Sequence, residues 1–278
     1  MQYINYNGNI YNEHEQLLQV GNRGFRYGDG FFESMIMFNQ KLPLLEFHWS
    51  RIVFTADVIS GVLPAGMDED KLQSMILDLA SVNGLVKNAR VRMQFFRKGD
   101  GLYLPETDEL GFIISMEPVT NQRWEVGEGL IAGIREDCYK TVSMTSDLKT
   151  SSALMYVMAA RFAKSEGWDE CLLLNDLDHV CEAIHSNIFV VKGDKLATPD
   201  LDSGCVNGVM RSYMIALLDE LVEERELSIK DLEEADEILL VNAVRGVQWV
   251  RQFKGKVYAN KKAVEITALL NESLLDLS

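Results

Sequence analysis

The sequence predicts a mixed α/β (α+β) fold in two domains, and three observations carry that expectation. Strand-like and helix-like stretches interleave in both halves of the chain. The length of 278 residues, 47% of them apolar, is enough to bury more core than one small domain needs. A polar stretch, Pro118–Arg123, breaks the pattern between the halves. The expected division is a smaller N-terminal α/β domain over 1–117, a linker over 118–124 and a larger C-terminal domain over 125–278.

In the first half, Gln2–Tyr11 alternates around Asn7-Gly8-Asn9 as a short hairpin does. Gly21–Gly30 holds Gly21, Gly24, Gly28 and Gly30. It fits neither a dinucleotide fingerprint nor a P-loop, and predicts a tight loop with positive-φ positions. Phe31–Phe38 reads as a half-buried strand with Glu33 among apolar neighbours. Helical spacing runs through Glu46–Ile59 and Asp68–Val82, with Asp68 as N-cap of the second. Ala89–Phe96 and Leu110–Met116 predict strands.

In the second half, Gly129–Arg135, Cys171–Asn175, His179–Val191, Lys195–Thr198 and Glu237–Asn242 read as strands. Thr150–Glu166, Val209–Glu224 and Lys262–Leu275 read as helices. The sequence contains no internal repeat and no low-complexity segment.

The balance of 27 basic against 42 acidic residues, a net charge of -15, disfavours nucleic acid and anionic membranes as partners. Cys138, Cys171, Cys181 and Cys205 form no CxxC pair, and the N-terminus lacks the pattern of a secretory signal. Both point to reduced thiols in a cytoplasmic protein. His14, His48, His179 and His185 include no i, i+4 pair and no HExxH, so no metal site is expected. A GxSxG nucleophile motif is also absent.

What remains is a set of three. Lys149 sits in a polar run, Ser146–Ser152; Glu182 lies among apolar residues; and Gly204–Arg211 forms a turn that opens a helix. Singly, such residues are more often a surface lysine, a solvated acid and a capped helix start. Together they could supply an aldehyde-binding amine, a partner for a ring nitrogen and an anion cradle, the three needs of pyridoxal 5'-phosphate.

Six motifs in order extend the set: Asn22–Glu33, His48-Trp-Ser-Arg51, Leu148-Lys149, Glu182 with Ser186–Phe189, Val206–Arg211 and Val241-Asn-Ala243. On these the chain resembles, almost end to end, the class IV aminotransferase family, the fold-type IV enzymes dependent on pyridoxal phosphate. The resemblance implies a D-amino acid aminotransferase-like two-domain fold. It also implies a homodimer with its site at the domain and subunit interface, and makes the Arg97–Pro105 loop the candidate to cross from the partner.

By the same resemblance, Lys149 is the catalytic lysine that joins the cofactor aldehyde as a Schiff base and then moves protons. Glu182 pairs with the pyridine nitrogen and Arg51 binds the phosphate. Backbone N–H groups of Asn207, Gly208, Val209 and Met210 complete the phosphate cup at a helix start. Asn187, Val206 and Asn242 join the cofactor-binding set. Phe32, Glu33, Arg97, Ala243 and Arg245 are the substrate-binding candidates.

Within the family, the branched-chain aminotransferases carry a tyrosine where this chain has Leu154, and Pro-Gly-Ile-Thr-Arg where it has Asn207–Arg211. The D-amino acid aminotransferases place an arginine and a histidine where this chain has Arg97–Tyr103, and a tyrosine at Phe32. The 4-amino-4-deoxychorismate lyases share Val206–Arg211, Asn242-Ala243 and an apolar residue at Leu154, whereas Glu33 and Leu102 depart from some of them. The leading expectation is therefore that lyase, releasing 4-aminobenzoate and pyruvate for folate synthesis, with Arg97 and Arg245 meeting its two carboxylates. The alternatives are a class IV aminotransferase of branched-chain or related amino acids, and an inactive pyridoxal phosphate-binding protein.

Overall fold

In the computed structural model, which describes residues 2–85 and 87–276, the N-terminal hairpin forms β1 (Tyr3–Tyr6) and β2 (Asn9–Asn12). The glycine-rich stretch contains a five-residue helix, α1 (Arg23–Tyr27). The Asn22 side chain caps it by accepting from Phe25 N, and Gly28, at φ 67°, ends it. Then follow β3 (Gly30–Phe38), α2 (Leu45–Val58), α3 (Glu69–Val82), β4 (Asn88–Arg97) and β5 (Leu110–Pro118). Asp68 caps α3 through Lys71 N, as the sequence predicts.

These strands make a sheet of order β2-β1-β5-β4-β3 with antiparallel neighbours throughout. Period-2 alternation sends Met35, Met37, Val91, Met93, Phe95 and Ile114 into one core. Ile52 of α2 and Leu72, Ile76 and Leu79 of α3 complete it.

A strap from later in the chain belongs to this unit, which comprises residues 1–122 and 148–152. Phe32 N donates to Lys149 O (3.0 Å), Ser151 N donates to Gly30 O (3.0 Å), and Thr150 bridges antiparallel to Phe31. The helix expected from Thr150 therefore starts only at Leu154. Thr150, Ser151 and Ser152 are weak helix formers, and the edge of β3 offers their backbone alternative partners. The second unit comprises residues 123–147 and 153–278.

The second unit runs β6 (Leu130–Lys140), α4 (Leu154–Glu166), β7 (Glu170–Asn175), β8 (Val180–Ala183), β9 (Asn187–Lys192) and β10 (Lys195–Thr198). It continues with α5 (Val209–Leu218), β11 (Val222–Glu224), α6 (Ile229–Glu234) and β12 (Glu237–Asn242). β13 (Gly246–Phe253), β14 (Lys256–Val257) and α7 (Lys261–Asn271) close it. The sheet order is β11-β10-β9-β12-β13-β6-β7-β8, with β14 on β13. The β10–β11, β13–β6 and β6–β7 pairs are parallel.

Two elements differ from expectation here. The single strand read over His179–Val191 is broken after Ala183, whose N–H donates to Ser186 O (2.8 Å). β8 thus pairs with β7, and β9 with β10 and β12. The long helix read over Val209–Glu224 stops at Leu218, because Asp219 takes φ 42°, which a right-handed helix does not accommodate. Among the described residues, no helix is long and apolar enough to cross a membrane.

Candidate active site

Within the first unit, the strap along β3 brings Lys149 beside Phe32, with its Nζ 4.8 Å from the ring centroid. Arg92 lies over the same ring, its Cζ 3.9 Å from the centroid. Strand register explains the meeting, since Phe32 is opposite Gln94 and Ser34 opposite Arg92, all on the sheet face away from the core. Gln94 fixes both neighbours: its Nε2 donates to Ser151 Oγ (2.7 Å) and its Oε1 accepts from Arg92 Nη2 (2.8 Å). Burial, then the nearby Arg90 charge, lowers the proton affinity of the Arg92 guanidinium.

On the core face, Glu33 is 1% exposed and accepts Arg51 Nε at Oε1 (2.8 Å) and Arg51 Nη2 at Oε2 (2.6 Å). His48 Nδ1 lies 2.6 Å from the same Oε2. Burial alone would raise the Glu33 pKa, but the Arg51 charge and the bonds from His48 and Arg51 outweigh it and hold it at about 2. Burial pulls His48 down, against Glu33 and with the charges of Arg51 and Lys149. The network therefore assigns a neutral imidazole that donates from Nδ1, with its Nε2 buried and without a hydrogen-bond partner.

Two of the substrate-binding candidates are held by internal contacts. Glu33 faces the core and gives both oxygens to Arg51 and His48, so it braces Arg51. Arg97 is also buried, with all three nitrogens engaged. Nε donates to Asp29 (3.2 Å), Nη1 to Asp108 (2.9 Å) and Ser60 O (3.1 Å), and Nη2 to Ile59 O (2.6 Å). It ends β4 as a clamp on turn carbonyls.

In the second unit, Glu182 sits on β8 and is 3% exposed. Its Oε1 accepts from Lys140 Nζ and from Tyr156 Oη, each at 2.6 Å, and its Oε2 accepts from Val206 N (2.8 Å). Burial, then the Glu182 charge, pushes the Tyr156 phenol well up, so it stays a donor. Burial likewise pushes the Cys205 thiol up to about 12. Cys171, Cys181 and Cys205 are buried and form no disulfide, and the Cys138 side chain lies outside the described ones.

The turn before α5 is built around Asn187, whose Nδ2 donates to Val206 O (2.7 Å). A Cβ added at Gly208 would lie 1.9 Å from Asn187 Oδ1, so only glycine fits. Asn207 N donates to Asp147 O (2.9 Å). α5 begins at Val209 and Met210 with Gly208 as N-cap and no capping side chain, the arrangement in which helix amides receive an anion. This unit thus holds a buried acid, Glu182, bonded to the glycine-fitted turn that opens α5.

Asn242 shapes the loop that follows it. Its Oδ1 accepts from Val244 N (3.0 Å) and Arg245 N (2.8 Å), and its Nδ2 donates to Ser186 Oγ (3.0 Å). Ala243 O accepts from Trp124 Nε1 (3.2 Å), and the exposed Arg245 donates to Gln248 Oε1 (3.4 Å). No group of residues able to hold a metal ion occurs among the described residues.

Arg92, Lys140 and Tyr156 lie outside the residues singled out from sequence. Tyr156 carried a signal, because it stands two positions after Leu154. Leu154 is the first residue of α4 and 71% exposed, whereas Tyr156, on the same helix, delivers the phenol to Glu182. Lys140 carried none: its partner lies two strands away in sequence.

A family model described as amino-transferase class IV matches residues 30–253. A putative branched-chain-amino-acid aminotransferase of Methanocaldococcus jannaschii is 28% identical, covering 98% of this chain and 94% of that protein. A D-alanine aminotransferase of Listeria monocytogenes is 24% identical, over 97% and 94%. Among solved structures, the branched-chain aminotransferase of Thermoproteus uzoniensis shares the fold at a TM-score of 0.87 and 22% identity, over 98% and 94% of the two chains.

Proposed function

The chain belongs to the class IV aminotransferase family, whose enzymes depend on pyridoxal 5'-phosphate, and on that premise we propose that it transfers the amino group of a branched-chain or similar apolar amino acid. When bound, the cofactor supplies a ring that takes up electrons from the substrate carbon. Lys149 carries the aldehyde-binding amine and moves the proton at the substrate Cα and the cofactor C4'. Glu182 faces the ring nitrogen. Arg51, aligned by Glu33, and the amides of Asn207, Gly208, Val209 and Met210 hold the phosphate, on a turn kept in shape by Asn187 and Val206. Phe32 lines the substrate site and Arg92 receives the substrate carboxylate, with Asn242, Ala243 and Arg245 as further candidates for ligand contact.

The observation that carries this reading is the placing of Lys149 Nζ and Arg92 over one Phe32 ring. It supports an amine acceptor and one carboxylate anchor, as a monocarboxylic amino acid needs. The lyase reading is less well supported. Its second cation was to be Arg97, which is spent on Asp29, Asp108 and two carbonyls. Its apolar mark at Leu154 loses force beside Tyr156, and the named relatives are aminotransferases.

We further propose a homodimer acting in the cytoplasm. Buried Arg23 pins the carbonyls of Asp100, Gly101 and Leu102, so that Leu102, Tyr103 and Leu104 stand 75%, 90% and 84% exposed. An exposed apolar tip held this firmly suits a subunit contact. Sedimentation velocity would give a dimer, and Tyr103→Asp would shift it toward monomer.

The test is to give the cofactor-loaded protein L-leucine, L-valine or L-isoleucine with 2-oxoglutarate, and separately D-alanine or 4-amino-4-deoxychorismate. Keto acid and glutamate from the L-amino acids support the proposal. Equal release of pyruvate and 4-aminobenzoate from the last substrate would restore the lyase reading instead.

A further inference from the structure

Glu182 is held by more donors than the partner of a ring nitrogen needs. Lys140, the last residue of β6, is 8% exposed, and its ammonium reaches both Glu182 Oε1 (2.6 Å) and Ser146 O (3.0 Å). Tyr156 Oη donates to the same Oε1 at 2.6 Å, and Lys140 Nζ lies 5.8 Å from the Tyr156 ring centroid. A buried ammonium persists only beside a compensating charge, and Glu182 is the acid it touches. Oε1 therefore carries two donors. Oε2 carries one, Val206 N at 2.8 Å, and a carboxylate oxygen can accept a second.

We propose that Lys140, assisted by Tyr156, is a positioning residue that directs Glu182 Oε2 at the cofactor's ring nitrogen and sets the proton affinity of that nitrogen. The inference rests on the assignment of Glu182 to the ring nitrogen made above. The ammonium and the phenol fix the carboxylate's rotation and leave Oε2 as the acceptor. The Lys140 charge also offsets part of the Glu182 charge, so the ring nitrogen meets a weaker negative potential than a lone carboxylate would supply. The chain thereby limits how firmly the nitrogen holds its proton.

The test is a pH titration of bound pyridoxal phosphate labelled with 15N in its ring, followed by the nitrogen resonance in wild type, Lys140→Met, Lys140→Arg and Tyr156→Phe. In Lys140→Met the nitrogen should keep its proton to higher pH, the midpoint rising by about one unit, a tenfold change in affinity. Lys140→Arg should restore the wild-type midpoint, and Tyr156→Phe should raise it by less than Lys140→Met. An unchanged or lowered midpoint in Lys140→Met overturns the proposal. If that variant does not fold, equal midpoints in wild type and Tyr156→Phe overturn it. Wild-type protein that takes up no labelled cofactor would overturn the functional reading and this inference with it, whereas uptake with an unmoved midpoint removes only the role of Lys140.

Discussion

Glu33 accepts Arg51 through two nitrogens, at 2.8 and 2.6 Å, in the core of the first unit. Removing one partner of a buried, hydrogen-bonded ion pair leaves the other charge without compensation. Glu33→Gln should therefore cost about 3–5 kcal/mol of stability. Chemical denaturation, with backbone hydrogen exchange in β3 and β4 as the local probe, measures it.

The same cluster sets an acid limit. The Glu33 pKa is depressed from 4.5 to about 2, so the stability it contributes is present above pH 4.5 and lost as pH falls toward 2. His48 is depressed from 6.5, so its neutral form favours the folded state above pH 6.5, and that advantage shrinks below it. Wild type should lose stability in both windows on acidification, and His48→Gln should flatten the upper one. Unfolding midpoints in urea across pH 2 to 7 check the sign.

Gly208→Ala would push a Cβ to 1.9 Å from Asn187 Oδ1 and open the turn that Asn187 holds through Val206. The expected result is a loss of at least roughly tenfold in pyridoxal phosphate affinity, about 1.4 kcal/mol. Equilibrium dialysis of the cofactor measures it, while the far-ultraviolet circular dichroism stays as in wild type.

Arg92 and Arg97 should part company under substitution. Arg92→Gln removes a charge-assisted bond to substrate of about 1.5–3 kcal/mol and should raise KM for the amino acid roughly tenfold or more. Arg97→Gln breaks contacts to Asp29, Asp108, Ser60 and Ile59 and should lower thermal stability instead. Steady-state kinetics beside a thermal melt separates the two.

Much of the fold is legible in the sequence because local signals and tertiary contacts agree. The Asn7-Gly8 turn makes its hairpin, and Asp68 caps its helix. The failures occur where a distant partner outweighs a local preference. The edge of β3 draws Thr150 and Ser151 out of a helix, and the turn at Ser186 divides one apolar run between two strand pairings. Neither partner is near in sequence. Among candidate site residues, Lys149, Arg51 and Glu182 stand out by motif. Lys140 does not, because an isolated lysine at a strand end has no local mark, and only the sheet brings it to Glu182. Arg97 shows the same limit: its loop position suggests an open cation, and only the fold brings three segments around it.

The central claim is that Lys149, by moving protons, lets an apolar L-amino acid pass its amino group to the cofactor, and a single turnover tests it most directly. Cofactor-loaded protein is mixed with L-leucine in the absence of any keto acid acceptor, and the 4-methyl-2-oxopentanoate released is counted against protein chains. The account predicts close to one keto acid per chain, loss of the absorbance that the cofactor shows when joined to Lys149, and no keto acid from Lys149→Ala. No keto acid from wild type, or equal release from Lys149→Ala, would contradict it.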